Sequence, residues 1–307
     1  MRHTRRTGRR RAGLWNDTDM ARLLGFLAIL YALALGPAGQ ALAGDTREVP
    51  RAYSFGGSCP ACNFSGRKLV GANFAGNFIR ANLSGTDMRG ATLHSANFAG
   101  ANFSRADLRS VSLFVVNFAG ATFNDARLDG MTGGGANFAG AHMQRARLSS
   151  AELNGANFIR ATLGGARFDS AEINGAVLVG VDARGAHFDD ADLNGARMAG
   201  GRFQGASFRD ASMDGADLSG GQFAGADFKD ASLEGARLFG ADLAAALGLE
   251  QEQLDSACGS PRTRLPPGLA ARGCRGGWAF RFHVPARPTP TAPAIPKTPA
   301  TPTAPRR

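Results

Sequence analysis

The sequence predicts an all-β fold, a four-sided β-solenoid, from three observations. From Ala81 to Leu243 the chain repeats every five residues without insertion or deletion, and 31 of the 33 pentad centres are Leu, Phe, Met or Ile. Two residues before the centre, 26 of the 33 positions are Ala. A second period of twenty residues is superposed: Phe98, Phe118, Phe138 and Phe158 recur at that spacing, as do Asn97, Asn117, Asn137 and Asn157.

Five residues fit neither regular element. A helix turns about 100° per residue, so a stripe of period five winds around its axis. A flat strand has period two, so successive centres point to opposite faces. The pattern is satisfied if the chain turns a corner once per pentad. The small residue and the centre then point inward along one short extended side, and Gly and polar residues make the corner. Twenty residues are four such sides, with like side chains stacked at about 4.8 Å.

The core volumes agree. Phe98, Phe118, Phe138 and Phe158 occupy one side, with Leu108, Leu128 and Leu148 opposite. The arrangement then swaps, and Phe168, Phe188, Phe208 and Phe228 face Leu178, Met198, Leu218 and Leu238. A large side chain opposite a smaller one keeps the cross-section constant. Gly133 and Ala183 break the rule at the centre, with Met131 and Val181 expected to fill the gaps. Between Phe74 and Phe78 the spacing is four, which predicts a kink or a tightened corner.

Units such as ADLSG, ANFAG and ADLNG resemble the pentapeptide-repeat family, whose unit is A-(D/N)-L-x-x, and the resemblance covers Asn63 to Leu243. It implies a right-handed quadrilateral β-helix and says little about activity. The segment Leu249–Leu269 resembles the end-piece of exported or membrane-associated members, which implies a capping role.

In chain order, 1–43 reads as an export signal. Arg2, Arg5, Arg6 and Arg9–Arg11 precede the apolar run Leu23–Leu35, then Gly36-Pro37, then Ala41-Leu42-Ala43 before Gly44. Thirteen apolar residues are short for a bilayer span, and an uncleaved anchor is the alternative. Residues 44–58 read as a linker and 59–243 as the solenoid of about nine coils. A cap at 244–284 leaves the pentad register from Ala244, with a short helix from about Leu249 covering the open edge of the last coil. Within it Gly276–His283 is expected to pack back on the rod. The tail at 285–307, rich in Pro, Thr and Ala, reads as disordered.

The net charge of +10 is unevenly spread. Residues 44–168 carry 13 basic and 7 acidic side chains, whereas 169–257 carry 6 and 16. A rod positive at one end and negative at the other can associate end to end, or simply present a solvated surface.

Cys59, Cys62, Cys258 and Cys274 are the reactive candidates. Their positions near opposite ends of a rod favour local pairing, Cys59 with Cys62 and Cys258 with Cys274. Cys59-Pro-Ala-Cys62 could instead be a redox motif, although no thioredoxin-like βαβ pattern surrounds it, and Asn63 stands where haem attachment needs His. The five His, at 3, 94, 142, 187 and 283, pair with no nucleophile. Asp190, Asp210 and Asp230 form a column that could bind cations or follow simply from duplication. Asn154, Asn174 and Asn194 form a second Asn ladder, and both Asn ladders are expected to link coils.

The expectation is a non-catalytic rod or scaffold, periplasmic or secreted, that binds a protein of the cell envelope. No cofactor, metal, nucleic acid or small-molecule substrate is expected. Two alternatives stand beside it. Some pentapeptide-repeat proteins protect topoisomerases by resembling duplex DNA, and the CPAC motif could support thiol–disulfide exchange.

Overall fold

A computed structural model describes residues 54–274. The export-like segment, most of the linker, Gly276–His283 and the tail lie outside the described residues.

Within them the chain winds as a β-solenoid. Strands β1 (Ser54–Ser58), β2 (Asn73–Asn77), β3 (Thr92–Asn97) and β4 (Ser112–Phe114) stack in parallel in that order. Between and beyond these strands the coils join through parallel bridges, mostly between residues twenty apart, on all four sides: Asn97 with Asn117, Asn102 with Thr122, Asp107 with Arg127, Ser112 with Thr132. One side carries eleven rungs from Asn63 to Arg264, a rod of roughly 48 Å at the strand spacing.

Each pentad contributes one inward pair and one corner. Phe98 N–H donates to Asn117 O (2.7 Å) and Asn117 N–H to Ala96 O (3.0 Å), so coils hold one another through main-chain bonds. The corner is a four-residue turn closed by Ala101 N–H to Phe98 O at 3.0 Å. Its third residue, Gly100, has φ 66°, a left-handed conformation that Gly adopts without a Cβ penalty.

The shaft is dry. Phe98, Phe118, Phe138, Phe158, Phe168, Phe188 and Phe208 are fully buried, as is Phe228. The first four stack with ring centroids 5.1–5.7 Å apart. Phe158 then meets Phe168 edge-on, at 5.9 Å and 87°, and the stack continues on the opposite side through Phe188, Phe208 and Phe228 at 5.0–5.1 Å. The swap in the sequence is therefore a single T-shaped contact that keeps the aromatic column unbroken.

Four expectations need correction. Ser54–Ser58 is not linker; it is β1, paired with β2 from Ser54↔Asn73 to Ser58↔Asn77. Of the two outcomes expected at the missing residue before Phe78, the local kink is the one seen: β2 continues through Ala75-Gly76 with Gly76 at φ 116°, and its register with β3 shifts between Phe74 and Gly76. Gly133 is filled chiefly from the coil below: a Cβ there would lie 2.7 Å from Leu113 Cβ. Register is kept past Ala244, since Leu247 still bridges Asp227.

The cap is also more than a helix, and its Arg264 supplies the eleventh rung of the side that begins at Asn63. Helix α1 (Gln251–Ser256) has a capping box between Glu250 and Gln253. The Gln253 amide donates to Phe228 O (2.8 Å), which also accepts the turn bond from Ala231 N–H, and to Ala231 O (2.7 Å), tying the helix to the coil beneath it. The chain then adds β6 (Cys258–Gly259) on β5 (Arg237–Leu238), and β7 (Arg272–Gly273) on β6.

Two glycines at the Ala position have a steric cause. A methyl on Gly221 would lie 2.6 Å from Cε2 of Phe223, and Gly201 stands in the same relation to Phe203. Gly221→Ala should cost about 1–3 kcal/mol in chemical denaturation, and Phe223→Leu in the same chain should remove most of that cost, a coupling read by a double-mutant cycle. Leu148 is fully buried, whereas Arg147 points outward. Leu148→Asp should abolish the cooperative melt followed by circular dichroism, because the shaft offers the charge no partner. Arg147→Asp should leave that melt in place.

Candidate functional site

Since the interior is uniform, chemistry must come from the outward columns, the residues on either side of each centre and at the corners. The sequence candidates fall on them as follows.

Cys59 is joined to Cys62 and Cys258 to Cys274, with Cα separations of 5.6 and 4.8 Å. The first pair spans a corner of the solenoid, where Cys59 N–H donates to Asn77 O (2.7 Å) and Ala61 N–H to Ile79 O (2.8 Å). CPAC thus sits in a β-turn of the rod, away from the helix N-terminus that lowers a thiol pKa in redox motifs. The second pair fastens β7 to β6. One disulfide stands at each end.

Asp190, Asp210 and Asp230 are the left-handed corner residues of successive coils, with φ 56°, 56° and 58°. Ser110, Ser150 and Ser170 take the same corner lower down. Asp and Ser are there for turn geometry, and the column needs no ligand to explain it. The Asn residues do link coils in part: Asn117 Nδ2 donates to Asn97 Oδ1 (3.0 Å) and Asn137 Nδ2 to Asn117 Oδ1 (2.9 Å). Their oxygens also cap the corner two residues on, as in Asn137 Oδ1 with Ala139 N–H. In the second series Asn154 Oδ1 accepts from Asn174 N–H at 2.9 Å.

One grouping escaped the sequence reading. Asp169, His187 and Asp189 bring ligand-type atoms within 4.8 Å of one another. The signal was there as an offset of 18 and 20 residues, which a solenoid of period twenty folds into adjacent coils. Arg167 already pairs with Asp169 at 2.9 Å, and Asp189 accepts from the Ser207 hydroxyl. The group as it stands is an ion-pair network, and a cation would have to compete with Arg167. His142 shares a hydrogen bond of 3.2 Å with Thr162. His94 lies against Phe114 with ring centroids 6.1 Å apart. His3 and His283 lie outside the described residues.

The charged columns largely satisfy themselves. Asp87 pairs with Arg89 (2.7 Å), Asp107 with Arg109 (2.6 Å) and Asp182 with Arg184 (2.7 Å) within one pentad. Asp125 pairs with Arg145 (2.7 Å) across coils. Arg89, Arg109, Arg127 and Arg147 border a shallow groove of about 590 Å³. The Arg hydrogen bonds hold Asp87, Asp125 and Asp182 below the ordinary carboxylate range. At Asp107 burial opposes the charge, but the Arg109 contacts outweigh it.

The outside of the rod is therefore a set of stacked polar and charged ladders. A family model described as pentapeptide repeats matches in eight copies, over residues 77–113 and, in overlapping copies, 117–244. The chain belongs to the pentapeptide-repeat family. Proteins of that family are typically structural or binding proteins. No curated protein matches the chain. Among solved structures, it is similar to HetL of the cyanobacterium Nostoc sp. strain PCC 7120, a pentapeptide repeat protein involved in heterocyst differentiation regulation. The identity is 28% over 64% of this chain and 89% of HetL, with a TM-score of 0.55. A pentapeptide repeat protein of the Arabidopsis thaliana thylakoid lumen is 32% identical over 32% of this chain and 65% of its own, with a TM-score of 0.25. QnrB1, a plasmid-mediated fluoroquinolone resistance protein, is 22% identical over 67% and 89%, with a TM-score of 0.30.

The ion pairs set a pH dependence. A carboxylate whose folded pKa is depressed adds stability that is complete above its unfolded pKa and is lost as pH falls through the folded value. The denaturation midpoint of this pentapeptide-repeat chain should hold steady from neutrality to about pH 5 and fall below about pH 4. Asp107→Asn should reduce that fall, and high salt should lower the plateau contributed by these exposed pairs.

Proposed function

We propose that the chain is a non-catalytic binding rod of the cell envelope, acting outside the cytoplasm. The observation that carries this reading is the cysteine arrangement. All four cysteines are used in two disulfides, one fastening each end of the rod. Disulfides persist in oxidising compartments and are rare in the cytosol. The order of basic segment, apolar run, helix breaker and small residues in 1–43 supports the same placement. Among the described residues no helix is long and apolar enough to cross a membrane.

The family's repeat surface supports the binding half of the proposal. Four flat sides carry columns of Asn, Thr, Arg and Asp at strand spacing, a pattern that offers many shallow polar contacts and no enclosed site. The partner is a protein of the envelope that spans several coils. Its attachment uses the outward columns and leaves the Phe shaft untouched.

The test is fractionation of cells producing the tagged chain, with thiol alkylation before and after reduction. The expected result is recovery in the periplasmic or secreted fraction, with cysteines that react only after reduction. Cytoplasmic recovery with freely reactive thiols would reject the placement. Inhibition of gyrase supercoiling by the purified chain would favour the DNA-mimic alternative.

A further inference from the structure

Phe114 and Val115 are the anomaly of the exterior. They are adjacent, apolar, and 53% and 87% exposed. Val115 sits at a corner with φ 55°, a conformation that is a genuine outlier for a β-branched residue. Above it the same corner is Gly at 135, 155, 175, 195, 215 and 235. Nothing in the coil requires Val there, and backbone strain of this kind points to function.

The complement lies one coil above. Gly133, Gly134 and Gly135 remove three consecutive side chains, with Leu113 rising from below to floor the gap. The result is a hollow of about 450 Å³ bordered by Phe114, Val115, Thr132 and the glycines, with Glu152 and Asn154 at its upper rim. A projecting aromatic and a hollow thus stand on the same side, one coil apart, in the same column.

We infer that this side is the self-complementary contact of an antiparallel, side-by-side homodimer. Take a two-fold axis that crosses the rod at right angles between the coils of Phe114 and Gly134, lying in the contact plane. It places Phe114 on the second copy's Gly134 and Val115 on its Gly135, and the reciprocal pair forms by symmetry. The same operation sets His94 against Asn154 and Ser112 against Thr132. An interface of this kind is isologous, each feature meeting its own complement. A parallel arrangement in register would set Phe114 on Phe114.

Charge selects the same sense. Residues 54–168 carry 11 basic and 5 acidic side chains, and 169–257 carry 6 and 16. Antiparallel packing sets Glu152 against Thr92 and Glu172 against Asn73 of the second copy, whereas a parallel arrangement in register would set Glu152 on Glu152 and Glu172 on Glu172. Eight rungs overlap, from Ser54 to Asp192. At about 4.8 Å per rung and a side about 10 Å wide, the contact covers roughly 400 Å² per copy. That is about half of a standard interface, so the dimer dissociates on dilution. The alternative occupant, the aromatic segment Trp278–Phe282 of the same chain, starts four residues beyond Cys274. Even its last residue, Phe282, can lie at most about 28 Å from Cys274, whereas seven rungs, roughly 34 Å, separate the coil of the hollow from β7.

The test is sedimentation of the full chain as recovered from the producing cell, over a micromolar to millimolar series, with two variants. Val115→Gly removes the apolar contact and relieves the corner. It should weaken dimerisation at least about tenfold, as loss of a central apolar contact does, while the melting temperature stays level or rises. Phe114→Ser should weaken it likewise. A photo-cross-linking residue at position 114 should capture residues 133–154 of a second copy. A wild-type chain that stays monomeric throughout, a dimer unaffected by Val115→Gly, or capture at the rod ends would each overturn the inference.

Discussion

A shaft that takes four large and four small side chains per coil governs everything else in this molecule. Its walls are main-chain bonds of 2.6–3.2 Å for nearly every coil, so the cross-section cannot breathe to accommodate a poor choice. A Phe on one side therefore requires Leu or Met opposite. When the large side chain changes sides, it does so in one step, through the edge-on contact of Phe158 with Phe168. Local exceptions obey the same limit. Leu113 fills the space of Gly133, and Phe203 and Phe223 lean over Gly201 and Gly221, where a methyl would clash. Close packing at this density makes such compensations obligatory.

Because the interior is fixed, the exterior is free to vary, but only within corner geometry. From Arg80 to Gly240 the third residue of each turn is left-handed; the position is mostly Gly, with Asp and Ser at modest cost and Arg at 80, 105, 145 and 160. The Asp column at 190, 210 and 230 is a product of that rule, and so are the Ser residues below it. The columns beside the centres carry charge, yet most of it is spent on neighbours within the pentad or one coil away. Such pairs at the surface add little to stability individually. Their contribution is to give each side a defined pattern of charge along the rod. Val115 violates the corner rule for an apolar, exposed result, and that separates it from the other left-handed residues.

The ends pose a different problem, since every solenoid terminates in unpaired strand edges. At the C-terminal end Gln253 reaches across to two carbonyls of the last coil, and β6 and β7 continue the sheet before the chain departs. At the N-terminal end β1 adds a rung in extended form, and the Cys59–Cys62 link closes the following corner. A disulfide at each end constrains the parts of a one-dimensional fold most prone to fray.

The period, the inside and outside of every pentad from Ala81 to Leu243 and the exchange of Phe between sides were all legible in the residues alone. These are local rules repeated many times, so each repeat confirms the others. The residues also indicated which cysteines lie within reach, because chain distance and rod distance run together in a solenoid. Only the tertiary structure decided what happens where repetition fails. Whether the deletion before Phe78 kinked the chain or tightened a corner depended on the extended β1 and β2 beside it, and five residues assigned to a linker became a strand through the same pairing. The hollow at Gly133–Gly135, the exposure of Phe114 and the Asp169–His187–Asp189 group all arise between coils. Their members are some twenty residues apart, and side chains that meet only through stacking leave no mark within a pentad.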